Sequence, residues 1–171
     1  SVPCYVITLN PQSERTQTLL ANLAAAGVPA QPFMGVDGRK GMPATEGEEA
    51  LAPLETLWRH QCELTSSEVG CYLSHYRLIR QAHAQGLERI CILEDDVELE
   101  PAFASVFAEL LNLPDECEMI RLMALKIRKR KVVKTFADGV HQLVRPERGL
   151  LGTQGYLINR RGMEKFLAHA R

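Results

Sequence analysis

The sequence predicts an α/β domain with a mainly parallel sheet. Short β-branched apolar runs recur along the chain, and stretches with helical spacing of apolar residues separate them. A length of 171 residues is enough to bury one core without disulfide or metal staples. Hydrophobic content of 46% and charged content of 24% are ordinary for a globular chain. A formal net charge of −1 excludes bulk attraction of the whole chain to nucleic acid or anionic lipid. No apolar run approaches the length of a membrane span. The opening "SVPCYVITLNP" lacks the basic flank and long apolar core of a signal peptide, so a cytoplasmic location is expected. The five cysteines are odd in number and form no Cys-x-x-Cys pair. Cys4, Cys71 and Cys91 sit inside apolar segments, which reads as reduced, mostly buried thiols.

The elements follow in order. "CYVITL" (Cys4 to Leu9) is a strand. Asn10 offers an N-cap with Pro11 in the first helical position, Leu19, Leu20 and Leu23 recur at helical spacing, and Gly27 suits the residue after the helix. "AQPFMGV" is a second strand. Asp37 to about Leu64 is an irregular excursion, with a short helix expected around Leu54 to Cys62. Thr65 and Glu68 match a capping box, and Val69, Leu73, Tyr76, Ile79 and Ala82 form one apolar stripe ending at Gly86. "RICIL" is a strand, and Pro101 opens a helix through Leu111. "CEMIRLMAL" is a further strand. Lys126 to Pro146 reads as a hairpin turning at Asp138-Gly139. "GTQGYLIN" gives the last strand, and Arg160 to Arg171 an amphipathic helix.

The stretch most in need of explanation is "RICILEDDVELEPAF", where an apolar strand runs into Glu94, Asp95 and Asp96. Ligands of open α/β sheets bind beyond the carboxyl ends of the strands. Two carboxylates about 4 Å apart repel by about 4 kcal/mol at an effective dielectric of 20. Water, a basic partner, a proton or a hard divalent cation can relieve that repulsion. Glu98 and Glu100 are explained as acids favouring the N-terminus of the helix opened by Pro101. Glu94 and Asp96 are the candidate metal ligands. Residues two apart in an extended chain face one side, which leaves Asp95 to point elsewhere.

The helix "SSEVGCYLSHYRLIRQA" followed by "ICILEDDVEL" resembles glycosyltransferase family 25, whose members add sugars to bacterial lipooligosaccharide and, in animals, to collagen. The pattern appears as Glu68, Gly70, Cys71, Ser74 and His75, then Leu93 to Asp96, with Ser67 in place of the family's first glycine. The opening strand with Arg15, "GVDG" (Gly35 to Gly38) and "GTQGYLIN" (Gly152 to Asn159) also match. The resemblance covers nearly the whole chain. It implies a GT-A-like, Rossmann-like fold and a metal-assisted, inverting transfer of a hexose, galactose foremost, from a UDP-sugar to a lipooligosaccharide acceptor. It implies Mn²⁺ or Mg²⁺ held by Asp96 with Glu94 or Asp95 assisting. Residues 1–171 then form a single transferase domain, expected to lack a C-terminal portion that carries acceptor contacts.

Arg15, Asp37, Gly70, His75, Asp95, Gly152 and Tyr156 are the candidate donor-binding residues. Each has a plainer alternative. Arg15 could be an exposed helix arginine and Asp37 an Asx-type turn with Gly38. Gly70 could mark tight helix packing, His75 a hydrogen-bonded structural histidine, and Gly152 to Tyr156 a tight strand entry. Glu68 and Asp37 are candidates for the acceptor base, although Glu68 also completes the capping box. Lys126, Arg128, Lys129, Arg130 and Lys131 could form a peripheral contact with the inner membrane or a solvated hairpin. No nucleic-acid motif accompanies them. Two other functions remain open at this point: a non-catalytic nucleotide- or saccharide-binding module, and a Mg²⁺-dependent phosphoryl-transfer domain.

Overall fold

The computed structural model describes residues 1–47, 49, 65–123, 130–146 and 153–169. Strands β1 (Cys4–Thr8), β2 (Ala30–Met34), β3 (Arg89–Glu94), β4 (Met119–Arg121) and β7 (Gly155–Asn159) form one sheet in the order β2-β1-β3-β7-β4. β1 pairs in parallel with β2 on one side and β3 on the other, while β7 runs antiparallel to both β3 and β4. Four strands therefore share a direction and β7 opposes them. The mainly parallel sheet stands. Strands β5 (Arg130–Thr135) and β6 (Gln142–Pro146) form the expected hairpin as a separate two-stranded sheet.

Period-two alternation along the strands decides which layer each side chain enters. Cys4, Val6, Cys91, Leu93 and Leu157 point to one face, where they pack with Leu19 and Leu23 of α1 (Glu14–Ala25) and Phe107 and Leu110 of α3 (Phe103–Leu111). Ile7, Ile90, Ile92, Tyr156 and Ile158 point to the other, against Leu78 and Ile79 of α2 (Ser66–Ala84) and Met163 of α4 (Arg160–His169). Ile79, Ile90 and Ile92 are fully buried, each removing apolar surface worth about 1.5–3 kcal/mol. β3 is apolar on both faces because helices cover both.

Local chemistry sets the ends of these elements. α1 starts later than the sequence suggests: its N-cap is Ser13, whose Oγ accepts from the Thr16 backbone N–H, rather than Asn10. Asn10 instead closes a turn, its Oδ1 accepting from Gln12 N–H and its carbonyl from Ser13 N–H. Gly27 ends the helix at φ +77°, with Val28 N–H returning to Leu23 O. The capping box of α2 is present in both directions between Thr65 and Glu68. β2 stops at Met34, so Gly35 and Val36 already belong to the loop above it. α3 begins at Phe103 without a side-chain cap, and Glu100 pairs with His141 of the hairpin turn rather than serving that helix.

The start of the excursion is tied down by Glu49, whose buried carboxylate meets Arg77 and Arg80 of α2. The expected helix at Leu54 to Cys62 lies outside the described residues, as do Gly152, Lys126, Arg128 and Lys129. No described helix is long and apolar enough to cross a membrane.

Candidate active site

β2 and β3 flank β1 on opposite sides, so the chain leaves β1 at a point where successive connections diverge. Such a switch point opens a crevice beyond the carboxyl ends of the strands. A cleft of about 290 Å³ lies there. Its walls come from the end of β1 (Thr8), α1 (Arg15), the loop after β2 (Val36, Gly38), α2 (Cys71, His75) and the acidic segment after β3.

The three acids separate. Glu94 follows Ile90 and Ile92 to the α2 face, where its Oε1 accepts from His75 Nε2 at 2.9 Å and Thr153 Oγ1 at 3.1 Å. The Cys71 thiol approaches the same oxygen at 3.6 Å. Asp95 follows Leu93 to the α1 face, where Arg15 donates to Oδ1 and Thr8 to Oδ2, both at 2.8 Å. Thr16 backs Thr8 at 2.8 Å, and both threonines are buried. Asp96 lies in the turn that ends the strand, is exposed, and has no hydrogen-bond or ion-pair partner among the described residues. Sequence alternation anticipates the divergence of Glu94 and Asp95. It does not carry through to Asp96, because the strand ends at Glu94.

His75 is buried and bonded at both ring nitrogens, Nδ1 lying 2.7 Å from Tyr156 Oη. Burial, then the Glu94 charge, pushes the Tyr156 hydroxyl far above its usual range, so it stays protonated. In the neutral ring, Tyr156 donates to Nδ1 and Nε2–H donates to Glu94. The His75 bond holds the Glu94 carboxyl below the ordinary glutamate value against the opposing effect of burial. Burial and the Glu94 charge raise the Cys71 thiol to about 11.

Of the donor-binding candidates, Arg15, His75 and Asp95 border the cleft, together with the metal candidates Glu94 and Asp96. Tyr156 stands behind His75. Gly70 is a packing position: a Cβ there would lie 2.7 Å from Val36 O and 2.8 Å from Gly38 N. Asp37 and Glu68 do not border the cleft. The Arg39 guanidinium donates twice to Asp37 and its backbone N–H once, which together hold the carboxyl well below the usual range. Glu68 is occupied by Thr65. Gly152 lies outside the described residues.

Three contributors escape the sequence reading. Thr8 and Thr16 hold Asp95, and nothing in a lone threonine announces that. Cys71, expected in the core, is exposed on the cleft. Its spacing of four from His75 was the available signal.

A second cavity of about 560 Å³ lies on the α1/α3 side of the sheet, bounded by Val97, Phe103, Ile120, Leu143 and Gln154. Asp96 borders both spaces. Gln154 Oε1 beside this cavity is buried without a partner among the described residues.

A mixed α/β sheet with a charged crevice at its switch point defines an open α/β domain, a class whose ligands bind beyond the strand ends. The whole described fold falls within one family. The model for glycosyltransferase family 25 (LPS biosynthesis protein) matches residues 2–171, and the chain belongs to that family. It is 30% identical to lacto-N-neotetraose biosynthesis glycosyltransferase LgtB of Neisseria gonorrhoeae over 95% of this chain and 59% of that one. It is also 30% identical to procollagen galactosyltransferase 1 of Danio rerio over 95% of this chain and 28% of that one. A glycosyltransferase 25 family member of Aedes aegypti is 28% identical over 95% of this chain and 27% of its own length. The chain thus spans between about a quarter and three-fifths of these relatives.

Proposed function

We propose that this domain binds a UDP-sugar in the switch-point cleft and transfers a hexose, galactose foremost, to a lipooligosaccharide-type acceptor with inversion. Asp96 carries the reading. Of Glu94, Asp95 and Asp96 it is the one without a hydrogen-bond or ion-pair partner among the described residues, and it stands where the cleft meets the second cavity. A donor on one side and an acceptor on the other would both reach it. The name of the procollagen galactosyltransferase relative and the family's description as an LPS biosynthesis protein support the choice of donor sugar and acceptor class.

The chain's own residues divide the work. Arg15 spends one N–H on Asp95 and keeps further donors for an anion at the mouth of the cleft. Arg39 borders the same space. Thr8, Thr16 and Asp95 fix the end of β1 against β3 and α1, which keeps the floor rigid. Hard oxygen ligands suit Mn²⁺ or Mg²⁺, so Asp96 and the second oxygen of Glu94 would hold it. Bound there, the ion would neutralise the charge that grows on a departing diphosphate.

Isothermal titration with UDP, with and without Mn²⁺, tests the reading. Wild-type protein is expected to bind UDP more tightly with Mn²⁺, and Asp96→Ala to lose that difference. Unchanged affinity in Asp96→Ala would refute the ion assignment, and no UDP binding at all would refute the donor site. Release of UDP and formation of glycosylated product, followed separately with saccharide acceptors, test transfer.

A further inference from the structure

Three chemically different ligands converge on the inner wall of the cleft. Cys71 and His75 are four residues apart on α2 and share one face of the helix, while Glu94 arrives from the end of β3. One ligand atom from each lies within 4.8 Å of the other two, and no other trio of His, Cys, Asp or Glu among the described residues does this. The outward nitrogen of His75 is already placed against Tyr156 Oη at 2.7 Å. Metal-bound imidazoles characteristically give their second N–H to such an oxygen, which fixes the ring. All three ligands border the cleft, so the trio is open on that side.

We propose that Cys71, His75 and Glu94 form a three-ligand site for a thiophilic divalent cation, Zn²⁺ foremost, whose fourth position opens onto the cleft. Two helix ligands, one ligand from another element and one open position make up the pattern of zinc sites that accept an outside ligand. The site shares Glu94 with the hard-ion ligands proposed around Asp96, taking Oε1 of that carboxylate where the other ion would take its second oxygen. A thiolate and an imidazole select Zn²⁺ over Mg²⁺ and Mn²⁺.

The geometry needs little change. Tetrahedral bonds of about 2.0–2.3 Å put neighbouring ligand atoms about 3.3–3.6 Å apart. His75 Nε2 and Glu94 Oε1 are 2.9 Å apart, and Cys71 Sγ and the same oxygen 3.6 Å. Of these two gaps the first has to widen, and the third, between Cys71 and His75, lies within 4.8 Å. Charges balance, because one thiolate and one carboxylate offset a divalent ion. Protons balance too. Cys71 releases its thiol proton to solvent, and the single ring proton of His75 moves from Nε2 to Nδ1. Tyr156 Oη can accept it there, since a phenol both donates and accepts. One proton leaves per ion bound.

The test uses the full chain, stripped with a chelator and free of nucleotide. Co²⁺ stands in for Zn²⁺ and is followed by its thiolate charge-transfer band. The band is expected to saturate at one ion per chain, to vanish on addition of Zn²⁺, and to accompany release of one proton. Cys71→Ser should abolish it, and Glu94→Gln should weaken binding about tenfold or more. Asp96→Asn and Cys117→Ser should leave it unchanged, the second because Cys117 is the other exposed described thiol. The site is overturned by absence of the band at millimolar Co²⁺, by its survival in Cys71→Ser, or by its loss in Asp96→Asn. With no nucleotide present, its failure and failure of the UDP reading are separate results.

Discussion

At the scale of single residues, adjacent carboxylates carry different loads. Asp95 receives Thr8, Thr16 and Arg15, so Asp95→Ala leaves buried hydroxyls short of an acceptor. Its expected cost is about 1–3 kcal/mol in urea unfolding. Asp96→Ala touches no partner among the described residues and should stay within about 0.5 kcal/mol of wild type. Equal effects of the two substitutions would contradict the separation described above. Glu94 supplies a pH test. Its folded pKa is depressed below the ordinary value of 4.5, mainly by His75. A depressed carboxyl contributes stability above its unfolded pKa and loses it as pH falls through the folded value. Metal-free wild-type protein should therefore lose stability below about pH 4.5 more steeply than Glu94→Gln. Parallel urea midpoints across the acid range would rule this out.

At the scale of elements, the loop after β2 and the start of α2 meet backbone to backbone. A Cβ on Gly38 would fall 1.9 Å from Ser66 O, and one on Gly70 would meet Val36 O and Gly38 N. Alanine at an exposed helix position gains about 1 kcal/mol over glycine. Gly70→Ala should instead destabilise by about 1–3 kcal/mol, since its neighbours are backbone and cannot swing aside. A rise in melting temperature for Gly70→Ala would show that the contact is looser than described. The glycine was legible in the sequence as a close approach, but its partner was not, because Val36 and Gly38 lie more than thirty residues earlier. The same division holds elsewhere. The capping box of α2, the end of α1 at Gly27, the β3 strand and the Asp138-Gly139 turn follow from neighbouring residues and were readable. Ser13 displaced Asn10 as N-cap because both are good caps and only the turn at Pro11 separates them. The exposure of Cys71 depends on where α2 lies against β3, which no local pattern contains.

At the scale of the molecule, alternation of strand and helix was enough to identify an α/β domain, whereas strand order and the reversal of β7 were not legible. The cleft inherits that difference: its acids were visible in sequence, but their division between two sheet faces required the fold. The hairpin offers a test at this scale. Lys131 stands directly opposite Arg145, and Arg130, Val132 and Val133 are exposed beside them. Like charges across a strand pair oppose each other unless an anion lies between them. Each basic residue near an anionic surface contributes about 1 kcal/mol. Lys131→Glu with Arg145→Glu should reduce sedimentation with phosphatidylserine vesicles by about tenfold or more, and added salt should do the same to wild type. Equal sedimentation of the charge-reversed protein would count against a membrane-facing hairpin. The reversed strand also has a consequence in time. Among the described residues β4 pairs within the sheet only with β7, and β3 has β7 as its outer neighbour. While the chain is being synthesised, two earlier strands must wait for a later one. Until β7 emerges, β3 presents an unpaired apolar edge of the kind that recruits other chains. Thr153, just before β7, arrives at Glu94 with that same insertion. The cleft is thus completed by the event that closes the sheet, and a stalled or shortened nascent chain has neither.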